Sequence, residues 1–168
     1  MPSDYELVTS ELLYYPRWGF EVITPLSGWY EEHQRQSALQ APNWDAFIDP
    51  RETTYAKYTA LARSREIYVD GILQSIEDSG YDASLDAQWR VTLSRVLAAM
   101  RYPLHGFQMI SAYIGQMAPS GRITVAAAFQ TGDEVRRIQR IAYRMTQLSL
   151  LEPVSSEDGR QIWQRDEA

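Results

Sequence analysis

The chain contains no cysteine among its 168 residues, which excludes disulfides, iron–sulfur clusters and thiol catalysis. No apolar run approaches the ~18 residues of a membrane-spanning helix, and the polar N-terminus lacks a signal-peptide core. The net charge of −6 gives no bulk attraction to nucleic acid or to an anionic membrane. We therefore expect a cytoplasmic protein that binds neither nucleic acid nor membrane.

The sequence also lacks the common catalytic motifs. It has no Gly-x-Ser-x-Gly, Gly-x-Gly-x-x-Gly or phosphate-loop pattern. A helical di-iron site needs Glu-x-x-His pairs, but neither His33 nor His105 has a glutamate three positions before it. In the third helical segment Glu134 is followed by Arg137 instead. The sequence thus predicts no catalytic, cofactor or metal site, and we interpret His105 as a structural histidine in a helix interface.

What is present from residue 50 onward is helical periodicity of the apolar residues. The pattern predicts helices over about 50–79, 84–117, 122–151 and 158–168. Their short connections favour antiparallel neighbours. The predicted fold is therefore all-α, an antiparallel helical bundle over residues 50–168.

Several local signals set the expected ends and breaks of these helices. Asp49 followed by Pro50 predicts the start of the first helix, and Ser84 is a plausible N-cap for the second. Pro103 predicts a kink in the second helix rather than a stop. The capping-box pattern at 131–134 leaves open a break within the third.

Residues 1–49 form a separate region that contains four of the eight prolines and three of the five tryptophans. We expect an irregular, extended arm, in which residues 7–9 and 12–15 have strand character. Large rings need burial, so we predict contact with a partner protein; packing on the chain's own helices is the alternative. The expected interface residues are Trp18, Trp29, Trp44 and Phe47.

Two sets of arginines bear on the helical region. Arg136, Arg137, Arg140 and Arg144 form a basic strip on the third segment, which indicates a solvated face or contact with an acidic partner subunit. Arg65 lies in an otherwise apolar row of the first helix, so we expect it to be paired or to lie at the surface.

Several segments resemble a known family in order and spacing. They are Asn43-Trp44-Asp45-Ala46-Phe47-Ile48-Asp49-Pro50, Arg101-Tyr102-Pro103-Leu104-His105-Gly106-Phe107-Gln108-Met109, Tyr113-Ile114-Gly115-Gln116-Met117-Ala118-Pro119 and Ala127-Ala128-Phe129-Gln130-Thr131-Gly132-Asp133-Glu134. Together they resemble the beta subunit of the hydroxylase component of bacterial multicomponent monooxygenases, in particular the toluene group. The resemblance implies a ferritin-like helical bundle that holds no cofactor, because the di-iron centre belongs to the alpha subunit.

The resemblance also implies a function for the assembled protein. A hydroxylase of alpha, beta and gamma subunits, with a second beta copy related by two-fold symmetry, would hydroxylate aromatic or other hydrocarbons with O₂. Electrons from NADH would arrive through a reductase and ferredoxin, and an effector protein would regulate the complex. Family members are about twice as long, so we expect a fragment or a truncated reading frame. The alternative is a free-standing helical module that binds a protein or ligand.

Overall fold

The computed structural model describes residues 1–11, 29, 32–33, 36, 38, 42, 48–118, 121–151 and 156–165. Six helices lie in these ranges: α1 (Asp4–Glu11), α2 (Tyr55–Asp78), α3 (Tyr81–Ser84), α4 (Ala87–Met117), α5 (Gly121–Ser149) and α6 (Ser156–Arg165). No strand occurs among the described residues. The predicted all-α fold is confirmed.

The α4–α5 hairpin is the centre of the fold, because these two helices make its most extensive contact. Small side chains let them approach closely: a Cβ added to Gly115 would lie 3.3 Å from the Cβ of Ala127. Ala98 and Ala127 are buried, and Leu148 is the largest fully buried apolar side chain among the described residues. Alanines rather than large residues therefore make up most of this core.

Helix α5 runs without a break through residues 131–134. The side chains that suggested a cap are used inside the helix: the Thr131 hydroxyl donates to the carbonyl of Ala127 at 2.8 Å, and Glu134 accepts from Arg137 at 2.9 Å. Helix α4 is likewise one continuous helix through Pro103.

The first long helix begins at Tyr55, later than predicted. The Asp49 carboxylate accepts from the backbone N–H groups of Arg51 and Thr53, each at 2.9 Å, and so caps a turn rather than the helix. Its hydrogen bonds, first that with the Thr53 side chain, hold the pKa of Asp49 below its ordinary value. Glu52 has a left-handed φ of 46°, which separates this turn from the helix. Thr54 is the N-cap of α2.

The N-cap of α4 is Asp86 rather than the predicted Ser84. The Asp86 carboxylate accepts from the backbone of Gln88 at 2.8 Å and of Trp89 at 3.4 Å. Ser84 ends the short helix α3, where its hydroxyl donates to the carbonyl of Tyr81. Gly80 adopts the left-handed conformation, at φ 63°.

The prediction of an extended segment at residues 7–9 is wrong, because this segment lies in helix α1. Ser3 and Glu6 form a reciprocal capping box: each backbone N–H donates to the side chain of the other. Tyr5 and Thr9, one turn apart, are buried where α1 packs on α5. The start of the arm thus packs on the chain's own helices; residues 12–15 lie outside the described ranges.

Helix α6 packs against α4, and the two backbones approach closely at Gly159. A Cβ added to Gly159 would lie 3.0 Å from the Cβ of the fully buried Ala98. One turn further along each helix, the rings of Tyr102 and Trp163 stack with centroids 6.0 Å apart. No helix in the described ranges is both long enough and apolar enough to cross a membrane.

Candidate interaction surfaces

An ionic seam joins helix α2 to helix α5. It consists of Glu66 and Asp70 on α2 and of Arg136 and Arg140 on α5. Arg136 Nε lies 3.1 Å from Glu66 Oε1, Arg140 Nη1 lies 2.5 Å from Asp70 Oδ1, and Arg140 also binds the second oxygen of Glu66. Because each set is spaced by one helical turn, the two pairs of charges meet in register.

Tyr58 extends this contact toward the start of α2. Its ring stacks on Phe129 with centroids 4.4 Å apart, and its hydroxyl accepts from Arg136 Nη1 at 3.1 Å. The hydroxyl donates toward Asp133 Oδ1 at 3.0 Å, and a Cβ at Gly132 would lie only 2.8 Å from it. Desolvation by burial raises the pKa of Tyr58, so the neutral phenol is favoured. Gly132 thus lies where the Tyr58 side chain of α2 packs closely on α5, within a continuous helix.

The remaining arginines of the predicted basic strip also bind within the chain. Arg144 pairs with Asp82 of α3, and both side chains are less than a fifth exposed. Arg137 pairs with the buried Glu134. The prediction of a solvated or partner-binding strip is therefore wrong for Arg136, Arg140 and Arg144. The sequence alone did not identify Glu66, Asp70 and Asp82 as partners of these arginines. For Glu66 and Asp70, the four-residue spacing that they share with Arg136 and Arg140 was a usable signal.

The Glu134–Arg137 pair occupies the place where a Glu-x-x-His metal motif would stand. The Glu134 side chain is 3% exposed, and its Oε1 accepts from both Gln130 and Arg137. A guanidinium cannot ligate iron, and here it neutralises the carboxylate that would. Within the described ranges, no three histidine, aspartate or glutamate residues are grouped as a metal site.

The candidate residues of the arm fall mostly outside the described ranges, where Trp18, Trp44 and Phe47 lie. Trp29 is half-exposed and stacks on His33, with ring centroids 4.6 Å apart, and the His33 Nδ1 lies 2.8 Å from the Trp29 carbonyl oxygen. His105 is exposed on α4, so its interpretation as an interface histidine within this chain is wrong.

Arg65 is exposed on α2. This agrees with the expectation that it would be either paired or at the surface.

A strip of exposed apolar residues runs along α4. Trp89, Val96, Met100, Phe107, Ile110 and Ile114 are each between 42% and 56% exposed. Their spacings of three, four and seven residues place them on one face of the helix, over a length of about 38 Å. The sequence predicted this apolar face; the structure leaves it uncovered by α5 or α6. We call these six residues the α4 strip.

The charges beside the α4 strip have one sign. Helix α4 carries Arg90, Arg95, Arg101 and His105 but no aspartate or glutamate, although the whole chain has a net charge of −6. An apolar strip on a helix whose own charged residues are all basic suits a partner helix that is apolar along one face and acidic at its edges.

The chain is similar in sequence and in fold to known proteins. A family model described as methane/phenol/alkene hydroxylase matches residues 27–168. The hydroxylase component subunit beta of the toluene-4-monooxygenase system from Ectopseudomonas mendocina is 32% identical over 172 residues, which cover 98% of this chain and 53% of that protein. A chain in the solved structure of toluene 4-monooxygenase with toluene in its resting active site matches with a TM-score of 0.82 at 32% identity, covering 99% of this chain and 57% of that one.

The chain therefore spans about half the length of the relatives that it matches. Because the family model covers most of the sequence and the fold agrees along almost all of it, the chain belongs to the methane/phenol/alkene hydroxylase family.

Proposed function

We propose that this chain acts as a non-catalytic structural subunit of a di-iron monooxygenase hydroxylase that hydroxylates aromatic or other hydrocarbons with O₂ and NADH-derived electrons. The α4 strip is the observation that carries the proposal. A half-exposed apolar face 38 Å long (estimated from the ~1.5 Å rise per residue) is a surface that a partner chain would bury. Membership of the hydroxylase family, and a relative named as a hydroxylase subunit beta, support the identity of the complex.

The chain's own contribution would be assembly. Burying each half-exposed side chain of the α4 strip would contribute on the order of 1 kcal/mol. The basic residues beside the strip would select an acidic helix of the partner, which we take to be the di-iron alpha subunit. In this proposal the iron and the oxygen chemistry belong to that subunit; the gamma subunit, effector, ferredoxin and reductase would act on the assembled complex.

The aromatic arm remains part of this proposal. Trp29 presents an indole already held in one orientation by its stack on His33, so little rotamer freedom would be lost on binding. We propose that Trp18, Trp44 and Phe47 contribute to the same interface. Family membership argues against the alternative of a free-standing binding module.

Two methionines on opposite faces of α4 provide the test. Met100 belongs to the α4 strip, whereas Met109 is nine residues further on, about half a turn round the helix, and is also exposed. We expect Met100→Asp to weaken capture of the co-expressed alpha-type chain by at least about tenfold, because a carboxylate would be buried in the interface. Met109→Asp is the matched control and should assemble normally.

The measurement is co-purification followed by sedimentation velocity of the mixture. Equal assembly of both variants would remove the α4 strip from the interface. Metal analysis adds a second readout: iron should follow the alpha-type chain into the complex and be absent from this chain alone. Stoichiometric iron in this chain alone would contradict the non-catalytic role.

A further inference from the structure

Helix α2 lies on α5 with little buried apolar area. Ala62 is the one buried residue among the 24 of α2, whereas Ile67 and Tyr68 are 62% and 71% exposed. The contact is made largely by side chains that reach across, which are the stack of Tyr58 on Phe129 and the ionic seam. Because apolar burial is the salt-independent part of such a contact, the position of α2 depends strongly on its charges.

The ion pairs along this side of α5 differ in their exposure to solvent. Asp82 of α3 and Arg144 are 16% and 17% exposed. Glu66 of α2 and Arg136 are 26% and 30% exposed, and Asp70 of α2 is 61% exposed. Salt screens exposed pairs more than buried ones, so rising ionic strength should release α2 before it releases α3.

Gly80 joins α2 to α3 at a position suited to a hinge. It has the left-handed φ of 63°, and an added Cβ would meet nothing within 4 Å. A glycine adopts left-handed and right-handed conformations about equally readily, and residues at the ends of helices absorb hinge rotations. Beyond Gly80, helix α3 is anchored on two sides, by Arg144 of α5 and by Arg90 of α4, which donates to the carbonyl of Ala83.

We propose that α2 is a salt-sensitive latch, which swings away from α5 about Gly80 when its ion pairs are screened, while α3 stays bound. The far end of α2 can move because the turn before it is linked to α1 by a neutral hydrogen bond, from the Asp49 backbone N–H to the Tyr5 hydroxyl at 3.3 Å. In the open state Arg136 and Arg140 lose the carboxylates of α2, so this face of α5 becomes basic and accessible. The latch needs only this chain, so its failure is separate from failure of the proposed function.

Distances between spin labels test the latch, and the absence of cysteine lets labels be attached only at introduced cysteines. One label is attached through Gln139→Cys on α5 and the second through Ser64→Cys on α2, both at exposed positions. Two control pairs keep the α5 label and place the second through Ala83→Cys on α3 or Met109→Cys on α4, which are also exposed. Double electron–electron resonance measures the three distance distributions in about 0.1 M and about 1 M NaCl, where the Debye length is ~10 Å and ~3 Å.

We expect the share of long distances in the α2–α5 pair to rise by at least about threefold at the higher salt concentration. The α3–α5 and α4–α5 pairs should keep their distributions, because the first depends on a poorly exposed ion pair and the second on close apolar packing. An unchanged α2–α5 distribution would overturn the latch. Equal changes in the α2 and α3 pairs would refute the hinge at Gly80, and equal changes in all three pairs would show general unfolding instead of a latch.

Neutralising one carboxylate of the ionic seam should open the latch at low salt. Glu66→Gln removes the charge that binds both Arg136 and Arg140, so the share of long distances at about 0.1 M NaCl should rise about threefold. Glu77→Gln is the matched control, because Glu77 is exposed on the same helix and lies outside the seam. Circular dichroism checks that both variants keep their helical content. Equal distance distributions for the two variants would overturn the ionic basis of the latch.

Discussion

The two sides of helix α5 are held by different forces. Toward α4 the contact includes small apolar groups, as where Gly115 meets Ala127, and the fully buried Leu148 lies near the end of α5. Toward α2 and α3 the contact is made by ion pairs from Arg136, Arg140 and Arg144. The first kind of contact excludes water and is insensitive to salt; the second sets the register of α2 but is weakened by screening.

This difference explains why so much apolar surface faces outward. Helix α4 meets α5 at small residues such as Gly115 and Ala127, and α2 meets it through ion pairs and the stack of Tyr58 on Phe129. Larger apolar side chains of both helices, such as Phe107 on α4 and Ile67 on α2, therefore remain exposed. Among the described residues, small and charged groups thus make much of the contact between the long helices, and many large apolar groups face outward.

The apolar side of α5 should give the largest loss of stability. Leu148 is 1% exposed, and Leu148→Ala should lower the free energy of unfolding by about 3 kcal/mol, through lost burial and the cavity left behind. Leu150→Ala is the control, because Leu150 is 83% exposed and its loss should be close to neutral. Urea unfolding followed by circular dichroism measures both. Similar losses for the two variants would show that Leu148 is not part of a close-packed core.

The ionic side should give an intermediate effect that depends on burial. Asp82→Asn leaves the poorly exposed Arg144 without its counterion, so we expect a loss of about 2 kcal/mol. Asp70→Asn, at a carboxylate 61% exposed, should cost less than about 0.5 kcal/mol. Urea titrations at low and high salt measure both values, and the cost of Asp70→Asn should shrink further in salt. Equal costs would mean that burial does not separate these pairs.

Tyr58 joins the two kinds of contact, and its substitution should cost less at neutral pH than that of Leu148 or Asp82. Tyr58→Phe keeps the stack on Phe129 but removes the hydroxyl, so we expect a loss of about 1 kcal/mol. Because burial raises the pKa of Tyr58, its contribution is fully present below the pKa of a free tyrosine, about 10, and is lost as pH rises through the folded value. Tyrosinate absorbance and stability over an alkaline titration check this. A stability difference between wild type and variant that does not narrow at high pH would contradict it.

The sequence predicted the helices well and their ends less well. Apolar periodicity over 84–117 and 122–151 corresponds to α4 and α5 within a few residues, since burying one face requires that periodicity. The caps differ because several adjacent side chains were chemically able to cap. Thr54 rather than Asp49 caps α2, since the left-handed Glu52 separates the Asp49 turn from the helix.

The candidate surfaces show the same limit of prediction from local sequence patterns. The residues of the α4 strip were recognisable as one apolar face, but periodicity does not say whether that face is covered by the chain itself. The arginines of α5 were recognisable as a strip, and only the packing of α2 and α3 against them supplied Glu66, Asp70 and Asp82 as partners. Pairing between residues far apart in sequence depends on the arrangement of the helices.

By itself the sequence determined the helical class, the absence of a Glu-x-x-His motif and the apolar face of α4, because each follows from residue types at short spacings. The tertiary structure alone decided which faces are closed and which stay open. It placed Tyr58 against Gly132, where the capping-box pattern had left a helix break open. It also paired within the chain the arginines that the sequence assigned to a solvated or partner-binding face. These outcomes depend on contacts some 70 or more residues apart, such as Tyr58 with Asp133 and Glu66 with Arg140, whose geometry no local pattern encodes.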